Sequence, residues 1–290
     1  MHIAVLGNRG SWYCEELRHA VEKRGHRYSR IDFSNMTASV GSNSPALIAN
    51  DIVLTDVDAV IVRTMPPGSL EQVVFRMDAL ARLEAAGITV LNPPKAIECA
   101  VDKYLTTSRL HAAGLNVPDT IVCENSESAM EAFTQLGNDV VVKPIFGSEG
   151  RGILRVSDPD LALRTFRTLE RIQSVLYLQR YVEHEGFDIR AMVLDGKILG
   201  GMKRRCDEDF RTNVSRNGKA EPYSLTEIEQ EQALRAAEVI GTRFAGVDLL
   251  YERSGRCYVL EVNAVPGWRA FGKVTGINVA QFVIESLEKH

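Results

Sequence analysis

Short apolar runs and helical periods alternate through the first third of the chain. The runs "HIAVL" (2–6), "YSRID" (28–32), "DAVIVR" (58–63) and "ITVLN" (88–92) are separated by "SWYCEELRHAVEKRG" (11–25) and "LEQVVFRMDALARLEAAG" (70–87), in which apolar residues return every three or four positions. A run too short for a helix reads as a strand, and an apolar stripe at helical spacing as an amphipathic helix. Their alternation predicts a parallel sheet with helices on its faces, an α/β lobe over residues 1–94. "VGSNSPALIAND" (40–51) predicts a loop.

The rhythm then changes. "NPPKAIECAVDKYLTTSRLHAAG" predicts one proline-started helical segment closed by Gly114, and "NVPDTIVC" opens a second lobe. That lobe, residues 95–185, holds a helix near "SESAMEAFTQLG", strand "DVVVKP", the glycine loop "IFGSEGRG", strand "ILRVS", a helix near "PDLALRTFRTLERI" and strand "VLYLQRYV". A third lobe, 186–290, follows as strand "DIRAMVL", a turn at Asp195-Gly196, strand "KILGGMKRR", a polar loop to Tyr223, a helix from Ser224 to about Phe244, strands "GVDLLYE" and "CYVLEVN", and a closing helix. With no Pro/Ser linker between them, the lobes are expected to pack around a shared cleft.

Polar residues inside these patterns carry the chemistry. A phosphate loop of the familiar kind runs from a strand into a helix, whose N-terminus supplies amides and the positive dipole end. "GSEGRG" runs into strand-like "ILRVS" instead, which predicts a hairpin tip whose amides can close over phosphates, or a plain glycine-rich hairpin. Lys143 lies in the apolar strand before it, where an unpaired ammonium is costly to bury and a phosphate partner offsets the cost. In "CYVLEVN", Glu261 and Asn263 point to one face while Leu260 and Val262 point to the other. A two-residue turn at Ser254-Gly255 would place Asp248 opposite Glu261, with Cβ atoms about 4.5–5.5 Å apart. Two like charges so opposed destabilise a hairpin unless something offsets them. A divalent cation does so, and oxygen-only ligands from Asp248, Glu261 and Asn263 favour Mg²⁺ or Mn²⁺ over Zn²⁺. The competing reading pairs the carboxylates with arginines such as Arg204 or Arg211. "KRRCDEDFRTNVSRNG" gathers Lys203, Arg204, Arg205, Arg211 and Asn213, either as a solvated face or as partners for anions.

Composition narrows the classes. The 290 residues are 45% hydrophobic and 25% charged, enough for several lobes with real cores. A net charge of -4 and a pI of about 5.9 give no global reason for nucleic-acid or membrane binding. The five cysteines, Cys14, Cys99, Cys123, Cys206 and Cys257, form no CxxC pair and fit reduced thiols in a cytoplasmic protein. The opening apolar run ends at a glycine turn, too short for a signal peptide core or a membrane span.

In chain order, "VVVKPIFGSEGRGI", "LQRYVEHEGFDIR", "DFRTNVSRNG", "GVDLL", "LEVNAVPG" and "TGINVA" resemble the ATP-grasp superfamily, and within it the RimK-like carboxylate-amine ligases, over essentially the whole chain. The resemblance implies an ATP-grasp fold preceded by a Rossmann-like pre-ATP-grasp domain. It makes Lys103 and Lys143 contacts to ATP phosphates, with Gly147, Ser148, Glu149 and Gly150 in the closing flap. It gives Gln179, Arg180, Tyr181 and Val182 to the adenine, Asp188 to the ribose or nearby nucleotide, and Arg211, Thr212 and Asn213 to the phosphates. Asp248, Glu261 and Asn263 match metal ligands, for two ions, and Arg204 matches the arginine that steadies the transferring phosphoryl group, with Arg205 competing. "NAVPGWRAF" departs from the relatives: Trp268, Arg269 and Phe271 stand where smaller or acidic residues are expected.

The implied reaction has two steps. ATP phosphorylates a carboxylate to an acyl phosphate, and an amine then displaces phosphate to give an amide; charge from the metal, Lys143, Lys103 and Arg204 supplies most of the catalysis. Relatives imply L-glutamate as the amine, an acidic acceptor that is a coenzyme-type small molecule or a protein tail, and a dimer or tetramer. An amino-group-carrier ligase of lysine or arginine biosynthesis is the alternative acceptor class, and a non-catalytic nucleotide-binding subunit is the alternative to an enzyme. Arg63 and Arg269 are candidate carboxylate clamps. "GNRGSW" lacks the GxGxxG spacing, against a dehydrogenase.

Overall fold

The first strands are buried on both sides, and their residues divide cleanly between two helix layers. In the computed structural model, which describes residues 1–41, 47–147, 150–206 and 218–289, β1 (His2–Leu6) is followed by α1 (Trp12–Lys23) and β2 (Arg27–Ile31). A small antiparallel meander comes next, β3 (Met36–Ala38), β4 (Leu47–Ala49) and β5 (Ile52–Val53); β4 lies within the stretch expected to be loop, and the other two strands flank it. β6 (Ala59–Val62), α2 (Leu70–Ala85) and β7 (Thr89–Leu91) complete the lobe. The parallel sheet has order β2-β1-β6-β7. Successive strand residues face opposite sides: Ile3, Val5 and Ile61 pack with Leu17 and Val21 of α1, while Ala4, Leu6, Val60 and Val62 pack with Met77, Leu80 and Leu83 of α2.

The segment expected as one helix is two, α3 (Pro94–Val101) and α4 (Lys103–Ala112). Asp102 between them is extended (φ −90°, ψ 103°), and its carboxylate accepts the Leu105 amide at 2.9 Å as the N-cap of α4. An aspartate that satisfies an orphan amide of a new first turn competes with continuation of the old helix. The second sheet, order β10-β9-β11-β8, is antiparallel and comprises β8 (Thr120–Cys123), β9 (Val140–Lys143), β10 (Leu154–Val156) and β11 (Leu176–Arg180), with α5 (Ser126–Gln135) and α6 (Pro159–Arg171) on one face. Val142 pairs with Leu154, so the glycine loop joins an antiparallel pair, as its sequence predicts.

The third sheet, also antiparallel, has order β14-β13-β12-β15-β16. It contains β12 (Phe187–Leu194), β13 (Lys197–Arg205), β14 (Lys219–Tyr223), β15 (Phe244–Tyr251) and β16 (Cys257–Asn263), with α7 (Glu227–Ile240) before β15. The end of the polar loop is thus strand β14, and the helix expected to reach Phe244 stops at Ile240. The closing helix is two, α8 (Arg269–Thr275) and α9 (Val279–Leu287), and both return to the first lobe: Phe271, Val279, Val283 and Ile284 share a core with Ile3, Val5 and Leu17. Among the described residues no helix is long and apolar enough to cross a membrane.

Asn92, 1% exposed, pins the lobes together. Its Nδ2 donates to Phe244 O (2.6 Å) and Ala264 O (2.5 Å), and its Oδ1 accepts the amides of Arg243 and Phe244, both at 2.8 Å. One side chain therefore ties the end of β7 to the start of β15 and to the residue after β16. Asn92→Ala leaves these backbone groups without partners and is expected to lower unfolding free energy by about 3–5 kcal/mol. Urea titration checks this; a loss of about 1 kcal/mol or less would contradict the role.

Candidate active site

Two β-bulges decide which side chains share the face that looks toward the second sheet. The β15–β16 loop has three residues, Arg253 to Gly255, rather than the expected two: Glu252 N–H donates to Arg256 O at 2.9 Å, and Gly255 adopts the left-handed φ of 89° that a glycine tolerates. Leu249 accordingly faces Val259. A bulge then leaves Leu260 without an opposite number and restores the expected pairing of Asp248 with Glu261. The two departures cancel for the carboxylates but not for Leu260, which lines the cleft beside Glu261 instead of facing away. In β12–β13, Val193 faces Ile198 but Met192 faces Gly200, so Leu199 is the extra residue and Asp188 falls opposite Arg204. Without that bulge Asp188 would face Lys203, and Arg205 would share its side in place of Arg204.

The result is a charged lattice on one sheet face. Arg204 grips Asp188 with two bonds, Nε to Oδ1 at 2.6 Å and Nη2 to Oδ2 at 2.5 Å, and its Nη2 lies 2.9 Å from Asp248 Oδ2. Arg190, which the sequence reading passed over, holds Asp248 through Nε (2.6 Å) and Nη2 (2.7 Å) and stands 4.0 Å from Glu261. Its position two residues after Asp188 on the same strand face was the signal available. The Arg204 and Asp248 side chains are 3% and 4% exposed. Burial alone would raise the Asp248 carboxyl; Arg190 and Arg204 overcome it and hold the group at about 2. Burial alone would lower Arg204, and Asp188 and Asp248 hold it above its ordinary value.

Two ammonium groups stand on the other side of the cleft. Lys143 Nζ donates to Gln179 Oε1 at 2.6 Å, and Gln179 is steadied by Thr120 and Tyr177. Lys103, the first residue of α4, donates to Gly147 O at 2.9 Å in the glycine loop. Among the described residues neither lysine has an ion-pair partner within 4.0 Å. Burial pushes Lys143 down to about 8, with Glu261 opposing, and lowers Lys103. An open cleft lies between the two walls and is lined by both. Val141, Ile153, Val182, Leu250 and Leu260 give it an apolar end, and Lys103, Lys143, Asp188, Arg204, Asp248 and Glu261 a charged one. Beyond Glu261 it continues into a recess bounded by Lys103, Thr106 and Asn263.

Other expected residues divide. Gly147, Gly150, Gln179, Arg180, Tyr181 and Val182 line the cleft. Arg180, however, sends its guanidinium to Glu252 (3.0 Å) and the Tyr258 hydroxyl (2.8 Å), bracing the second sheet against the third. Arg155, bonded to Asp139, covers the Tyr181 ring at 3.5 Å. Asp188 is turned to Arg204 and presents little surface for a ribose, 6% of its side chain being exposed. Arg205 lies over Phe187 and donates to Glu185 O at 3.4 Å. Arg63 and Arg269 do not line the cleft; Arg63 is buried against Trp268, and Arg269 is exposed over Trp12. Trp268, expected near the acceptor, is 2% exposed and belongs to the core. Ser148, Glu149, Arg211, Thr212 and Asn213 lie outside the described residues.

The donors fit a hard divalent cation. Asn263 Nδ2 donates to Glu261 Oε1 (2.9 Å) and Gly246 O (3.3 Å), which leaves its Oδ1 as the ligand atom, beside a Glu261 side chain that is 37% exposed. The arginine pairing weighed against metal holds for Asp248, through Arg204 and Arg190, so Glu261 and Asn263 are the more open oxygens. Among the described residues no three His, Cys, Asp or Glu cluster as a metal cage. Mg²⁺ needs no such cage when substrate phosphates complete its shell.

Residues 100–287 match the model of the RimK-like ATP-grasp domain, and residues 1–97 that of the RimK pre-ATP-grasp domain. The chain belongs to the RimK-like ATP-grasp family. The tetrahydromethanopterin:alpha-L-glutamate ligase of Methanosarcina acetivorans is 34% identical, the match covering 96% of this chain and 95% of that one. A probable alpha-L-glutamate ligase of Citrobacter koseri is 31% identical over 100% of this chain and 96% of its own. The solved ATP-grasp ligase PsnB, complexed with minimal precursor, Mg and ADP, superposes with a TM-score of 0.78 at 21% identity, over 99% of this chain and 96% of that one, and shows the shared fold. This RimK-like chain is an ATP-dependent carboxylate-amine ligase, as its named relatives are.

Only the ammonium form of Lys143 attracts phosphate, and the empty group loses its proton above about 8. ADP affinity is therefore expected to fall as pH rises past that value, and Lys143→Arg, which stays charged, is expected to flatten the fall. Calorimetric titration across the alkaline range decides it, and a flat wild-type profile would remove Lys143 from phosphate binding.

Proposed function

We propose that this chain joins the amino group of L-glutamate to a carboxylate of a small, coenzyme-type acceptor through an acyl phosphate. One observation carries the reading: a cleft with two ammonium groups that have no ion-pair partner among the described residues on one wall, facing Glu261, Asn263 and a fixed arginine-carboxylate lattice on the other. Lys103 and Lys143 hold the phosphates of ATP, and the apolar end of the cleft takes the adenine. Asp248, Glu261 and Asn263 would hold the Mg²⁺ or Mn²⁺, two ions in this reading, which would supply charge neutralisation to the phosphates. An acceptor carboxylate oxygen attacks the γ-phosphorus as the bond to ADP breaks; the glutamate amine then attacks the acyl carbon, losing a proton, and phosphate leaves. Arg204 faces the transferring group rather than Arg205, and its grip on Asp188 fixes its guanidinium before any substrate arrives, which is the condition for electrostatic catalysis. Phosphoryl transfer asks for position and charge rather than a side-chain nucleophile.

The acceptor class is supported by the Methanosarcina acetivorans relative, whose name places it on a pterin coenzyme. Purified protein with ATP, Mg²⁺ and L-glutamate is expected to release ADP only when an acceptor is added from a panel of pterin and deazaflavin coenzymes and acidic peptides. Glu261→Gln should lower that release on the order of a hundredfold. Turnover with peptides alone would move the acceptor to a protein tail, and Glu261→Gln at the wild-type rate would remove the ion from Glu261.

A further inference from the structure

The parallel sheet has a topological switch point of its own. Its order, β2-β1-β6-β7, sends the connection from β1 one way and that from β6 the other, so the crevice position that open α/β sheets use for ligands falls at the carboxyl ends of these two central strands. Gly7 ends β1 and Arg63 ends β6. A Cβ at Gly7 would lie 2.5 Å from Cys14 Sγ and 3.4 Å from Arg63 Cβ, so glycine lets α1 and the arginine stem close on this point.

Arg63 is 7% exposed, and its guanidinium sits 4.3 Å from the Trp268 ring and 4.8 Å from that of Tyr13, in the first turn of α1. Its Nη2 donates to Pro266 O at 3.0 Å, and its Nε meets no hydrogen-bond partner. No carboxylate neutralises it among the described residues; burial, the leading influence, lowers it to about 10, and only Tyr13 and Cys14 oppose that. A buried arginine with aromatic faces and an Nε–H that meets no acceptor, but no counter-ion among the described residues, is an incomplete ion pair. The nearby Arg30 differs, since its Nη1 lies 2.6 Å from Asp32. Two features near Arg63 favour negative charge: Ser11, the N-cap of α1, makes no side-chain cap, which leaves the positive end of that helix without a capping side chain, and Arg269 lies over Trp12 at 5.4 Å.

We infer that this crevice binds an oxyanion of the acceptor, a carboxylate or a phosphate ester, with Arg63 as its charged partner and Arg269 at its rim. The inference rests on the ligase reading for the word acceptor, and on Arg63 for the site. Location supports it: Pro266, which Arg63 holds, is three residues beyond Asn263, a span of at most roughly 10 Å. An elongated acceptor anchored here would reach the phosphates across the end of β16.

The chain has two tryptophans, Trp268 against Arg63 and Trp12 against Arg269, so intrinsic fluorescence reports on both arginines. The full chain, saturated with ADP and Mg²⁺, is titrated with glutarate and separately with inorganic phosphate through the millimolar range. A saturable change is expected with at least one of them, and which one distinguishes carboxylate from phosphate ester. Arg63→Gln should weaken it about tenfold or more, and Arg269→Gln, at an exposed position that does not endanger folding, by a few-fold. Lys143→Met should leave it in place. The inference fails if neither anion changes the fluorescence, if Arg63→Gln and Arg269→Gln both bind as the wild type does, or if Lys143→Met abolishes the response, which would put the anion in the nucleotide cleft. Anion binding that persists in a protein with no acceptor-dependent ADP release would overturn the ligase reading and keep the site.

Discussion

Two guanidinium groups and two carboxylates, nearly dry, share one face of the five-stranded sheet, and the remainder of the site is arranged around them. Placing such charges away from water is costly, and each is tolerable only while its partners stay in place. Removing a single member would leave the others buried and unpaired, at a cost of about 3–5 kcal/mol. That penalty makes the strand register hard to change, because a one-residue slip moves every side chain to the opposite face. The lattice spans β13, β12 and β15 and ends at Glu261 on β16, so the register of four strands is coupled to it. Its contribution is therefore geometric more than stabilising: Arg204 and Glu261 are aimed before a nucleotide enters.

The opposite wall is built differently. Among the described residues Lys103 and Lys143 are held by neutral oxygens, a backbone carbonyl and an amide, and not by carboxylates. Their orientation is thus fixed without their charge being cancelled. One wall spends its charges on itself and the other leaves them available, and a polyanion with bound cations complements both at once. Lys103 also grips the carbonyl of Gly147, so the base of the glycine loop and this ammonium are one mechanical unit.

Most of the secondary structure could be read from periodicity, because buried parallel strands and amphipathic helices differ strongly in hydrophobic spacing. The pairing of Asp248 with Glu261 was also legible, although by compensation: the turn is one residue longer than its Ser-Gly pair implied, and the Leu260 bulge takes up the difference. The choice between Arg204 and Arg205 was not legible, for the same kind of reason. It is a question of parity along β13, parity is set by the bulge at Leu199, and "KILGGMKRR" carries no local mark that distinguishes a bulge from regular strand apart from its glycines. Arg190 went unnoticed because its meaning is long-range. It gains a role only once β12 is known to lie beside β15, which puts it opposite Asp248. Trp268 stood out in the sequence only as a departure from the relatives, and its burial depends on the returning C-terminal helices, which share its core.

The segment Ala264 to Trp268 joins these observations. It leaves the cleft at Asn263, is held at Ala264 O by Asn92 and at Pro266 O by Arg63, and enters the shared core at Trp268. Five residues thus touch β16, the end of β7, the end of β6 and the packing of α1. Two of these anchors are polar groups satisfied in fixed directions, which leaves the segment little freedom to move on its own. The first lobe and the cleft are consequently held in one frame, and an acceptor resting on the ends of the parallel strands would have a defined distance to the phosphates. In a reaction that depends on position more than on side-chain reactivity, a fixed distance of this kind decides which acceptors can be phosphorylated, since a molecule too short to span it could bind at either end without reacting.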